Sequence, residues 1–135
     1  MAQRKPPPED VLSPEGIRTM ASSFQQSRIL LTAYELDLFT ALDGAAKGSD
    51  EVARILGTDE RATDRLMNAL HPLGLVNKEG SRFSNTDRTS QFLVRGKPDY
   101  MAALMHTVHL WESWSGLTDA VRGGKAAEAP PVNDR

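Results

Sequence analysis

The stretch "SDEVARILGTDERATDRLMNALHPLGLVNKEGSRFSNT", residues 49–86, decides the fold. Ser49 caps a short helix whose inward face is Val52, Ala53 and Leu56, and Gly57 ends it. Thr58 or Asp59 caps the next helix. Spacings of three and four turn Ala62, Leu66, Ala69 or Leu70, and Leu73 of that helix inward. Pro72 ends or kinks it near His71, and Gly74 closes it. Residues 75–78 and 82–84 then pair across Glu79-Gly80-Ser81, where Gly80 supplies the tight turn. Helix, turn, helix and hairpin, in that order, describe a winged helix.

Upstream, Ser13, Pro14 and Glu15 open a helix running to about Phe24, with a capping hydroxyl, an early proline and an early acid. A second helix is expected over about 27–42. Ten of the fourteen residues from 29 to 42 are apolar, among them Ile29, Leu30, Leu31, Tyr34, Leu38 and Phe39. A surface helix needs one apolar stripe, so this one is covered on several sides. A central core helix would do that, and so would a subunit interface. A small domain has few elements to spare, which favours the interface and names Ile29, Leu30, Leu31, Tyr34 and Leu38 as dimer contacts. Downstream, Thr86 caps a helix ending near Leu93, and Pro98 opens a last helical region bent near Gly116.

At 135 residues the chain has the length of one domain. Residues 1–12, with prolines at 6, 7 and 8, read as a disordered tail, 13–125 as the folded domain, and 126–135 as linker. Sixteen basic residues stand against eighteen acidic ones, which is no phosphate-gripping balance. The outward positions of the second winged-helix segment are Asp59, Glu60, Arg61, Asp64, Arg65 and Asn68. Three acids there would repel phosphates as strongly as two arginines attract them. The absence of cysteine excludes disulfides, thiolate nucleophiles and Cys-ligated zinc. With no signal-like h-region and no apolar run of membrane length, a soluble, cytoplasmic protein is expected.

The densest candidate chemistry is "YMAALMHTVHLWESW", residues 100–114. On a helix, Met101, Met105, His109, Trp111 and Trp114 are expected near one another, as a wall for a flat aromatic ligand or as plain core packing. His106, His109 and Glu112 drift round a helix at steps of three, and no second cluster completes a metal site, so no metal is assigned. His71 reads as a helix-end cap. No glycine-rich strand-turn-helix, P-loop, nucleophile elbow or HExxH occurs, and Gly123-Gly124 follows a helix. No catalytic and no cofactor-binding residue is therefore assigned.

Four stretches in this order carry a resemblance: "ILLTAYELDLFTAL", "SDEVARILGTDERATDRLMNALHPLGLV", "GSRFSNTDRTSQFL" and "WESWSGLTDAVRGGK". Over about residues 16–125 the chain resembles the N-terminal region of small-molecule, S-adenosylmethionine-dependent O-methyltransferases of plant phenolic, hydroxyindole and bacterial polyketide type. The resemblance implies a mostly α fold, a helical dimerisation domain with a winged-helix core and a small β-hairpin wing. It implies a homodimer that binds neither nucleic acid nor membrane. It also implies a back wall for a small aromatic hydroxyl acceptor, with Met105, His109 and Trp114 as contacts.

S-adenosylmethionine and the general base would belong to a C-terminal Rossmann-like domain of a parent enzyme. This chain, ending in the linker toward that domain, is expected to be inactive alone. A stand-alone winged-helix DNA-binding regulator and a dimeric module for a small aromatic ligand are the alternatives. On the interface reading, light scattering should give a dimer that a charge at Leu31 or Leu38 splits.

Overall fold

The structure, a computed structural model, describes residues 12–125. Of the tail expected over 1–12, all but Leu12 lies outside these residues, as does the linker expected over 126–135. The Ser13 hydroxyl accepts from the Gly16 N–H at 3.1 Å and opens α1 (Pro14–Ser22), as the capping pattern predicts. Ser23 keeps a right-handed helical backbone, with φ −60° and ψ −24°, so α2 (Phe24–Glu35) continues almost directly from α1.

The helix expected over 27–42 is in fact two. Leu36 closes α2, Asp37 adopts a left-handed backbone with φ 60°, and α3 (Leu38–Ala41) starts afresh. A left-handed residue cannot continue a right-handed helix, and aspartate is among the few non-glycine residues that tolerate the conformation. The Asp37 carboxylate lies 3.1 Å from the Arg95 guanidinium, which ties the break to the far end of the fold. The new direction drives Leu38, Phe39 and Leu42 into the core, each at most 1% exposed.

The winged-helix order follows as β1 (Lys47–Gly48), α4 (Ser49–Leu56), α5 (Glu60–Leu70), β2 (Val76–Glu79), β3 (Arg82–Asn85) and α6 (Asp87–Phe92). The strands form an antiparallel sheet in the order β1-β3-β2, with Lys47 opposite Phe83 and Val76 opposite Asn85. The two-residue β1 has no sequence signal of its own. The hairpin turn is Gly80-Ser81, one residue shorter than expected, with Glu79 opposite Arg82 and Gly80 at φ 61°.

Gly48, not Ser49, is the N-cap of α4, and the Ser49 hydroxyl donates to Asp64 instead. Val52 and Ala53 are buried and Leu56 packs on the core, as the spacing predicts. Asp59 caps α5, accepting from the Ala62 N–H at 2.8 Å.

The buried face of α5 is Thr63, Met67 and Leu70; Leu70 is one of the expected positions, and the other two lie one step round from the expected Ala62 and Leu66. Ala62 is exposed, and Leu66 packs at the core margin. The Thr63 hydroxyl donates to the Asp59 carbonyl at 2.6 Å and lies 2.6 Å from the Thr58 hydroxyl, so a polar side chain can occupy an inward position. Thr86 and Thr89 form a reciprocal cap at the start of α6.

Residues 97–103 form turns, and α7 (Leu104–Ser115) begins well after Pro98. The buried Tyr34 hydroxyl holds this segment, donating to the carbonyls of Met101 at 3.0 Å and Ala102 at 3.2 Å. The Tyr34 and Tyr100 rings stack above it, 5.8 Å apart. Gly116 then separates α7 from α8 (Leu117–Gly123), at the expected bend. Among the described residues no helix is long and apolar enough to cross a membrane.

The core explains the apolar run without a partner. Leu31, Tyr34 and Leu38 are 3%, 3% and 0% exposed within one chain, and Ile29 and Leu30 pack at its margin. Elements α3, α5 and α7 supply the cover that the composition alone assigned to a second subunit. A charge at Leu31 or Leu38 therefore attacks the fold before any interface. Met67→Ala and Phe83→Ala should each cost about 3 kcal/mol in urea unfolding, and Asp59→Ala about 1 kcal/mol. Leu38→Glu should give insoluble or unfolded chain by circular dichroism in place of a folded monomer.

Candidate functional site

The last helical region packs against α2, and the two run antiparallel. Tyr34, near the end of α2, meets Met101 and Ala102, whereas Arg28, one turn and a half earlier, meets Trp111. The Arg28 guanidinium lies 5.1 Å from the Trp111 ring centre. Its Nε donates to the Thr32 hydroxyl at 3.1 Å, and the guanidinium pairs with Glu35. The arginine is thus held at three points, and the half-buried indole keeps one face against it.

Between α2 and α7 opens an apolar groove of about 620 Å³. Phe24, Ser27 and Leu31 line it from α2; Thr107, Leu110, Trp111, Trp114 and Ser115 line it from α7. The Ser115 hydroxyl is turned back to the Trp111 carbonyl at 3.0 Å, which leaves the indoles and leucines to dominate the walls. Trp114 is 68% exposed, an unusual state for the largest apolar side chain.

Of the three residues expected to share a wall, only Trp114 lines this groove. Met105 packs on the core beside Leu104 and Val108, and His109 is exposed. At about 100° per residue, Met105 and Trp114 are about 180° apart on the helix, and His109 is about 140° from Trp114. The cluster therefore splits into two faces. Counting back from Trp114 by four and three would have found Leu110 and Thr107, and the same count along α2 finds Leu31, Ser27 and Phe24.

His71 sits at the end of α5, with Nδ1 3.2 Å from the Val76 carbonyl oxygen, in the helix-end position expected for it. Among the described residues no group of three or more His, Asp or Glu side chains is placed to hold a metal ion.

The comparisons with known proteins bear on this geometry. Residues 19–95 match the family model of the O-methyltransferase dimerisation domain. The chain belongs to that family.

This dimerisation domain is 34% identical, over 122 residues, to the tetracenomycin polyketide synthesis 8-O-methyl transferase of Streptomyces glaucescens. The match covers 88% of this chain and 36% of that protein. Its fold superposes with a TM-score of 0.73, at 31% identity, on an O-methyltransferase family protein from Burkholderia thailandensis. That match covers 82% of this chain and 33% of that one. Human N-acetylserotonin methyltransferase, solved with S-adenosylmethionine, shares the fold at a TM-score of 0.69 and 24% identity, with 82% and 34% covered. The dimerisation domain thus spans about a third of the length of these relatives.

Its own described residues do not fit S-adenosylmethionine. The sheet is small and antiparallel, and no glycine-rich turn leads from a parallel strand into a helix. The two bases of the wing are held by neighbouring side chains. Lys78 donates to Asn68 at 2.6 Å and sits over the Phe83 ring, and Arg82 pairs with Glu51 at 3.3 Å. Both wing bases are engaged inside the domain.

One titration is built into the α2–α7 contact. Burial, reinforced by the neighbouring Tyr100, pushes the Tyr34 phenol up from 10.0 to about 12. The folded state therefore favours the neutral phenol. The stability this contributes is complete below pH 10 and is lost as the pH rises from about 10 to about 12. Tyr34→Phe should lower stability near neutrality by about 1 kcal/mol, through the two lost hydrogen bonds. Denaturant curves across the alkaline range should show a smaller decline for this variant than for the wild type.

Proposed function

We propose that this domain dimerises an S-adenosylmethionine-dependent O-methyltransferase and forms part of the wall of its acceptor pocket. The acceptor is a small aromatic compound carrying a hydroxyl group, in secondary metabolism. The observation that supports this reading is the family match over residues 19–95, on a chain whose last helices expose an apolar, tryptophan-rich surface. The domain contributes shape and apolar contact; the methyl donor and the base that deprotonates the acceptor belong to residues outside it.

Two faces of α7 divide the work. Met105 and His109, one turn apart and away from the groove, are proposed to face the acceptor. The methionine offers an adaptable apolar contact and the imidazole a hydrogen bond to a ring substituent. Trp114 is reassigned to the homodimer side. The domain is read as cytoplasmic, in keeping with a chain free of cysteine. A nucleic-acid partner is not proposed, since exposed Asp59, Glu60 and Asp64 flank the arginines of α5.

In an enzyme carrying this domain, His109→Ala should raise KM for the aromatic acceptor several-fold while leaving KM for S-adenosylmethionine unchanged. Steady-state kinetics with both substrates varied would check it. Equal effects on both constants, or none, would remove His109 from the acceptor wall.

A further inference from the structure

Helix α7 begins without a local start signal. Its N-cap is Ala103, and among the described residues no side chain caps its first turn and no acid stands in it. The first amides close tight bonds instead. Leu104 donates to the Met101 carbonyl at 3.2 Å, Met105 to Ala102 at 3.3 Å and His106 to Ala103 at 3.0 Å. Each spans three residues, the tightened geometry of a helix end. Nothing in these bonds fixes which residue comes first. Sliding the segment by one residue past a fixed point turns every later side chain by about 100°.

Two contacts from distant segments supply the fixed point. The Met101 N–H donates to the Phe92 carbonyl at 2.9 Å, and the Met101 carbonyl accepts from the Tyr34 hydroxyl at 3.0 Å. The Ala102 carbonyl lies 3.2 Å from the same hydroxyl. Both carbonyls thus serve Tyr34 and the first turn of α7 together. Tyr34 is a firm anchor, since it lies inside α2, is 3% exposed and stacks on Tyr100 with the rings 8° from parallel. Burial keeps its phenol protonated, and so a donor, throughout the neutral range. Met105 and His109 follow Ala102 by three and seven residues, about one and two helical turns.

We propose that the Tyr34 hydroxyl is a positioning group for the acceptor wall, setting the rotation of α7 and with it the direction of Met105 and His109. Buried as it is, Tyr34 is out of an acceptor's reach and acts only through the helix. The inference rests on the acceptor-wall reading above and adds the residue that orients the wall. Backbone carbonyls are the right target for this role, because they report the position of the chain whatever side chains it carries. Phenylalanine at position 34 would keep the stacked ring and remove only the donor.

The test compares Tyr34→Phe with His109→Ala and with Asp59→Ala, which removes the α5 cap and should destabilise the domain to a similar extent as Tyr34→Phe. On this chain, residue-resolved hydrogen exchange of Leu104, Met105 and His106 should quicken about tenfold in Tyr34→Phe, beyond any change in Asp59→Ala. In an enzyme carrying this domain, Tyr34→Phe should raise KM for the aromatic acceptor about fivefold, with kcat and KM for S-adenosylmethionine unchanged. Asp59→Ala should alter none of the three. Combined with His109→Ala, Tyr34→Phe should add less than its separate effect, since both act on one wall. Unchanged exchange at the start of α7 would overturn the positioning role. So would an acceptor KM that His109→Ala raises and Tyr34→Phe does not, and in that case the wall itself stands. An equal rise in Asp59→Ala would overturn it too, the effect then being a general loss of stability. If His109→Ala leaves the acceptor KM unchanged, the wall reading falls and the positioning role falls with it.

Discussion

The left-handed backbone at Asp37, held against Arg95, is the constraint on which the rest of the structure depends. It interrupts a run too apolar to lie on a surface and sends its two halves in different directions. The first half, ending at Glu35, keeps Leu31 and Tyr34 inside and leaves Phe24 and Ser27 on a groove. The second half drops Leu38 and Phe39 into the winged-helix core beside Met67, Leu70 and Phe83. One run of sequence thereby serves both the body and the arm of the molecule.

Because the core closes within one chain, the greasiest sequence is spent on the fold. Tyr34 is pivotal here as well, since its hydroxyl pins the turns before α7 and so sets how α7 leans on α2. That lean places Trp111 against Arg28 and leaves Trp114 outward.

The winged-helix stretch was legible because its boundaries rest on local chemistry: Asp59 and Thr86 cap helices, and Gly57 and Gly80 take positive φ. The face of α5 was placed correctly at Leu70 but one position off at its start, since hydrophobicity alone cannot anticipate that the Thr63 hydroxyl is satisfied inside. Strand β1 was missed because two residues carry no period, and its pairing with β3 is purely tertiary. The start of α7 was set too early, since Pro98 is a local signal and the Tyr34 anchor is not. The grouping of Met105, His109 and Trp114 failed for a simpler reason. Proximity in sequence was read as proximity in space, and nine residues of helix put Met105 and Trp114 on opposite sides. What remained illegible depended on contacts between segments distant in sequence.

The most direct measurement of the central claim is hydrogen–deuterium exchange of α1 and α8 as a function of protein concentration. These helices have no fully buried residue in the single chain, so their amides should be protected only when a second copy covers them. Protection of both at high concentration and its loss on dilution, with α4 and α5 unchanged, is the predicted result. Exchange of α1 and α8 at the same rapid rate at every concentration, in a protein that is nonetheless dimeric, would contradict the account.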